Sequence, residues 1–378
     1  AKKLKDKNRF YFKIRFSKEV SRLMERTGLM LAAEAGLNNI AQDFLHLQSD
    51  LDIRDYYGFT ATILAAKNGN VDILDLISDA GGDMNDKTNI GNTALLYAAK
   101  NGYDHVVASL LQRHADTNQQ RKSGWTALID AARRGYESIV NALLKHGAKP
   151  NLQNDEGWTA LKQAASKNHS GIVTSLLNSG ADPNIQNKGG WAPLIDASWG
   201  GYGSIVNNLL KHGANPDLHN YQGWTALLYA ADKNYPGILF SLLKYGADVN
   251  YQNNDNNTAL NIAATEGHIK VVLMLVARDA DINHRGYKGK SPLARAVEND
   301  HQKIVSYLLH QNADVNQQDE YGKTPLMRAA SNGNSKIVSM LLRNNADQTI
   351  KSHSGKTAEQ RALEMGHSGV AHILNKKG

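Results

Sequence analysis

Four tryptophans, Trp125, Trp158, Trp191 and Trp224, each follow a glycine and stand 33 residues apart. Five residues beyond them come Asp130, Gln163, Asp196 and Tyr229, with Tyr97 in the same position one period earlier. An indole face beside a carboxylate attracts cations and hydrogen-bond donors, so the pairing suits an arginine or lysine of a bound peptide, or the edge of a base. Tryptophan also offers a large contact area at small entropic cost and recurs at interface hot spots. The fifth tryptophan, Trp199, comes nine residues after Gly190. Further along the chain Lys290, Lys323 and Lys356 take the tryptophan position, while Arg295, Arg328 and Arg361 take the aspartate position. Six cations in two columns suit an anionic contact, although Glu298 and Glu364 are near enough to neutralise part of it. The competing readings are structural: each tryptophan packing on the neighbouring loop, and each charge sitting on a solvated helix face.

Catalytic chemistry finds no comparable foothold. There is no cysteine, hence no disulfide, cysteine-based zinc site or thiol nucleophile. The glycines follow the 33-residue period and form neither a phosphate loop nor a nucleophile elbow. Asp130 and Asp196 lie two periods apart, too far for a shared acid and base role in a regular array. His146 and His212 fall where a helix C-terminus is expected, a place that favours a cation, and are read as structural rather than metal-binding. No enzyme activity, cofactor or metal is expected.

The net charge of +7 is local: nine Lys/Arg against Asp6 and Glu19 put all of it in residues 1–24, and the rest of the 378-residue chain is neutral. A basic arm on a neutral body does not make that body a nucleic-acid binder. Within the arm Phe10, Phe12, Ile14 and Phe16 alternate with Arg9, Tyr11, Lys13 and Arg15, the period of an amphipathic strand, and Ser17 opens a capping helix. The arm either covers the flank of the first repeat or folds back onto the tryptophan and aspartate zone as a competitor. No run of about 18 apolar residues occurs, so no membrane span is expected. A cytoplasmic, monomeric protein is expected, with a composition rich in Asn and Lys that would suit action inside a host cell.

What positions the aromatic and charged columns is a repeat. Starting points fall at 25, 58, 91, 124, 157, 190, 223, 256, 289, 322 and 355 with no insertion, eleven copies of which the last is short. Two residues after the anchor, in every repeat but that of Gly190, stands a helix-capping oxygen such as Thr93, Thr126 or Thr159. Pro193, Pro292 and Pro325 follow that slot, where a first helical turn tolerates proline. Alanine pairs such as Ala131-Ala132 come next, then a column holding only Gly, Asn or Asp, the types that accept a left-handed helix end. A second helix carries Ile139, Val140, Leu143 and Leu144 at helical spacing and closes at Gly147.

Gly-x-Thr-Ala/Pro-Leu, Ala-Ala, Gly, Ile-Val, Leu-Leu and Gly-Ala-Asp-x-Asn at this period resemble the ankyrin repeat over residues 25–378. The usual Thr-Pro-Leu-His is altered, its histidine slot holding Leu96, Ile129, Lys162, Ile195 or Leu228. The resemblance implies an all-α solenoid of helix-turn-helix repeats joined by β-hairpin loops, stacked in a curve. It also implies that partners are met along a concave face of hairpin tips and first-helix residues. The expected function is therefore a protein-protein interaction scaffold. It would hold an extended segment with basic or aliphatic parts on Trp125, Trp158, Trp191, Trp224, Trp199, Tyr97, Asp130, Asp196 and Tyr229. An acidic part would reach Lys290, Arg295, Lys323, Arg328, Lys356 and Arg361. The alternative is single-stranded nucleic acid, with bases stacked on the tryptophans and phosphates on the cations.

Overall fold

The computed structural model describes residues 26–375; the basic arm, with its expected strand and capping helix, lies outside them. The described chain contains 22 α-helices, two in every repeat, and about 52% of the described residues are helical. The helices are short, seven residues in Ala160–Ser166 and nine in Glu137–Lys145. Isolated helices of this length are unstable in water, so packing must hold them.

Local sequence fixes the ends of each first helix. Thr126 is extended and its hydroxyl accepts the amide of Ile129 at 3.1 Å; Thr93, Thr159, Thr225 and Thr324 do the same in their own repeats. Repeat 190, named like the others by its anchor residue, has Ala192 there instead and relies on Pro193 at the first turn. The terminating column is left-handed in every full repeat, from φ 57° at Asn234 to 84° at Gly135. Asn168, Asn234 and Asp300 adopt it as the glycines do, which explains why the column is limited to three residue types.

The chain divides after Lys188 into two compact bodies. In the first, the helices Gly28–Ala35, Ala61–Asn68, Ala94–Asn101, Ala127–Arg134 and Ala160–Ser166 pack in sequence order. In the second, the same order runs from Pro193–Trp199 through Ala226–Asp232 and Ala259–Glu266 to Ala358–Glu364. Ala98, Ala99, Ala131 and Ala132 are fully buried, because side chains this small let neighbouring first helices approach closely. Second helices contribute Ile139, Val140 and Leu143, also buried. Ile40 occupies the position of Ile139 in repeat 25 and is 46% exposed against 1% for Ile139.

The loops that join the repeats carry little backbone pairing: among the described residues the only β-type pairing is a single bridge between His219 and Thr225. Each tip is a closed turn, as where Arg121 N donates to Trp125 O at 3.1 Å and Asn220 N to Trp224 O at 3.1 Å. Neighbouring tips share one backbone bond, such as Lys122 N to Ile90 O at 3.0 Å or Tyr221 N to Gly189 O at 3.1 Å, too few to form strands. Side chains supply the remaining stitching. Asn118 Oδ1 accepts from Lys149 N, Asn151 from Asp182 N, Asn250 from Asp281 N and Asn283 from Asp314 N, each at 2.8 Å. This is the work of the final Asn in Ala-Asp-x-Asn.

Candidate functional site

In several repeats the side chain three before the anchor builds the tip. Asn154 Oδ1 accepts from Glu156 N at 3.0 Å and Trp158 N at 2.9 Å, and Asn220 Oδ1 accepts from Gln222 N and Trp224 N, both at 3.0 Å. The carboxamide thus replaces a backbone turn and fixes where the indole begins. Glycine suits the anchor because its backbone is left-handed: at Gly124 φ is 74° and a Cβ would stand 2.8 Å from Asp155 N, while Asn256 takes the same place in its repeat at φ 60°.

In the first body Trp125 and Trp158 meet edge to face, ring centroids 6.2 Å apart. Both rings are already faced by cations of the chain: Arg121 and Arg133 lie 5.0 and 5.3 Å from the Trp125 centroid, and Lys162 lies 5.6 Å from that of Trp158. Asp130 is only 3% exposed and receives Arg121 Nη1 at 2.8 Å. Burial raises its carboxyl above the ordinary range, against the pull of Arg121. Asp130 was expected to face a partner's cation; it is turned inward and holds the chain's own. Gln163 is likewise buried. Tyr97 packs against Phe59 at 5.6 Å, with Lys67 over the Phe59 ring at 4.9 Å.

The second body gathers Trp191, Trp199, Trp224 and Tyr229. Tyr229 is stacked with Trp191 at 5.4 Å and tilted against Trp224 at 4.8 Å, while Trp199 meets Trp191 edge-on at 6.5 Å and is 54% exposed. The Tyr229 hydroxyl accepts from Asn220 Nδ2 at 3.0 Å, and burial pushes its pKa above the usual phenol value. Asp196 lies on the same helix as Trp199 and is half-buried. Beside the aromatic group an open cleft of about 500 Å³ is lined by Tyr221, Gln222, Trp224, Tyr229, Asp232, Asn254 and Asp255. Tyr221 is 75% exposed, and Asp232 pairs with Lys233 at 3.0 Å on the surface.

The basic columns do not form an open stripe. Glu298 bridges Lys290 and Arg328, 2.7 Å to each, and Arg328 also pairs with the buried Asp319. Burial would raise the Glu298 carboxyl, but Lys290, Arg328 and Arg295 outweigh it and hold it below its ordinary value. Burial lowers the pKa of Lys290 and of Arg295. Arg295 donates to Tyr287 O at 3.0 Å, Lys323 lies 5.9 Å over the Tyr321 ring, Lys356 pairs with Glu364, and Arg361 donates to Ser352 Oγ at 2.9 Å. Arg328, expected to meet an anionic partner, is itself buried. Its tie to Asp319 belongs to a pattern that reading by column misses. The positions three before and six after the anchor touch, as Arg121–Asp130, Asn220–Tyr229, Asp319–Arg328 and Ser352–Arg361.

Among the described residues no group of three or more potential ligands could hold a metal ion, and no helix is long and apolar enough to cross a membrane. Helix pairs with capped first helices, left-handed helix ends and turned tips at a constant period define a helical-repeat protein. The family model for ankyrin repeats, three copies to a match, fits overlapping stretches from residues 29–121 through 163–253 to 293–378, and the chain belongs to that family. No curated protein matches the sequence. Ankyrin repeats serve in general as protein-protein interaction modules.

Proposed function

We propose that the chain is a non-catalytic scaffold that holds an extended segment of a partner protein against the tips and first helices of repeats 190 and 223. The observation that carries this reading is the aromatic group around the cleft: the half-exposed Trp199 and the open wall of Tyr221, Trp224 and Tyr229. Large rigid aromatics at the edge of a partly apolar recess are the usual anchors of an interface. A nucleic-acid strand suits the site less well. It would need unpaired cations along its phosphates, whereas Arg328, Lys290 and Lys356 are held by carboxylates and the cleft itself carries Asp232 and Asp255.

The test is selection of random twelve-residue peptides displayed on phage against the whole chain, followed by affinity measurements on the wild type and on a Trp199→Ala/Trp224→Ala variant. The selected peptides should bind the variant more weakly by about 2 kcal/mol or more, with helicity unchanged. Equal affinity for both proteins sinks the reading. A steep fall of affinity with salt, accompanied by tight binding of oligonucleotides, would replace it with the nucleic-acid alternative.

A further inference from the structure

Trp125 and Trp224 occupy the same slot of their repeats, yet their electrostatic surroundings are opposite. In repeat 124 the residues three before and nine after the anchor are Arg121 and Arg133, and both guanidinium groups lie over the Trp125 ring, at 5.0 and 5.3 Å. Arg121 also reaches Asp130 at 2.8 Å, so a planar cation is held by an indole face and a carboxylate together. In repeat 223 the same two positions are Asn220 and Asp232. Asn220 is occupied with the turn and with the Tyr229 hydroxyl. Among the described residues no cation lies over Trp224. Half of the arrangement seen at Trp125 therefore stands, among the described residues, without its cation: aromatic rings from Tyr221, Trp224 and Tyr229, and carboxylates from Asp232 and Asp255, lining one cleft.

We propose that this cleft receives the guanidinium group of an arginine from the partner segment, in the place that the chain's own arginines fill beside Trp125. The inference rests on the protein-binding reading and names the chemistry of its contact. A guanidinium can stack its flat face on a ring while its edge donates to carboxylates, whereas a lysine ammonium is a point charge with no planar face to stack. The guanidinium is also weakly hydrated, so little solvation is lost on entering an open recess. The Asp232 side chain is 24% exposed and its one ion pair among the described residues is to the half-exposed Lys233, so an incoming arginine competes there with a surface contact.

The probes are three acetylated and amidated Gly/Ser peptides of equal length, each carrying two arginines, two lysines or two citrullines. They are titrated into the full chain with its tryptophans labelled with nitrogen-15. The five indole signals are separated by position, and that of Trp224 is assigned from a Trp224→Phe variant. The arginine peptide should shift the Trp224 indole saturably, the lysine peptide should bind roughly five-fold more weakly, and citrulline, isosteric but uncharged, should give no saturable shift. An Asp232→Asn/Asp255→Asn variant should bind the arginine peptide at least about ten-fold more weakly with an unchanged melting temperature. Equal shifts from citrulline and arginine, equal binding to the double variant, or no Trp224 shift would each overturn the proposal. Failure here is distinct from failure of the broader reading: displayed peptides that need Trp199 and Trp224 but show no arginine preference keep the scaffold and remove the arginine site.

Discussion

Repeats 223 and 322 fill equivalent slots with opposite outcomes. In repeat 322 the residue six after the anchor is Arg328, and Asp319, three before it, closes the charge from within, leaving the arginine 9% exposed. In repeat 223 those slots hold Tyr229 and Asn220, whose hydrogen bond satisfies both without covering the indole between them in sequence, and a cleft remains. Repeat 124 shows the closed arrangement with its charges exchanged, Arg121 before the anchor and Asp130 after it. A charged or aromatic column in a repeat array is therefore no evidence of a contact surface until its partners three before and nine after the anchor are known. Where they complement the column the repeat is finished internally, and where they do not, a site is left for another molecule.

The largest expected effect separates these cases by stability. Asp319→Ala strips the buried Arg328 of one carboxylate and releases the amides of Tyr321 and Lys323, each 2.8 Å from Asp319 Oδ1, so it should cost about 3 kcal/mol or more in urea unfolding. Asp232→Ala, at a surface pair, should change stability by no more than about 0.5 kcal/mol. Similar losses for the two would erase the distinction between closed and open repeats. A smaller effect tests whether closure can be transplanted. Asp232→Arg places an arginine nine after the anchor, as Arg133 stands in repeat 124, and should lower affinity for arginine peptides at least about ten-fold, near 1.4 kcal/mol. Undiminished binding would show that the cleft near Trp224 is not the point of contact.

Most of the fold is legible in the sequence because its signals are local and repeated eleven times. The capping threonines and the Gly/Asn/Asp column state where each first helix begins and ends, and every member of that column has the left-handed backbone that its residue type allows. The β-hairpin loops are implied by the family resemblance alone; that the tips carry only one backbone bond to a neighbouring tip is a matter of packing that no residue in the repeat states. The aromatic group was half legible. The spacing of Trp191 and Trp224 and the helical offset of Trp199 and Tyr229 bring those four rings into one body, but Tyr221 and Asp255 belong to successive tips and join the cleft only through the packing of one turn beside the next. The pairs such as Asp319–Arg328 escape a column reading because nine residues separate them across the end of a loop and the start of a helix.

The smallest effect is one of sign, and it compares two carboxylates that are each paired with the chain's own cations. Burial raises the Asp130 carboxyl despite Arg121, so its ionisation opposes folding. That penalty is present above the raised folded value and vanishes below the unfolded value of about 3.9. Glu298 is opposite: burial acts to raise it, but Lys290, Arg328 and Arg295 prevail, so its ionisation favours folding. That contribution is complete above the unfolded value of about 4.3 and is lost as pH falls through the depressed folded one. Asp130→Asn and Glu298→Gln remove each titration while keeping side-chain size. On acidification from pH about 7 to about 3 the stability difference between wild type and Asp130→Asn should move in favour of the wild type, and that between wild type and Glu298→Gln should move against it. Urea midpoints across the range measure both. Two difference curves sloping the same way would mean that one of the two carboxylates is not held as its neighbours imply, with Arg121 then outweighing the burial of Asp130 or the cations around Glu298 failing to outweigh its own.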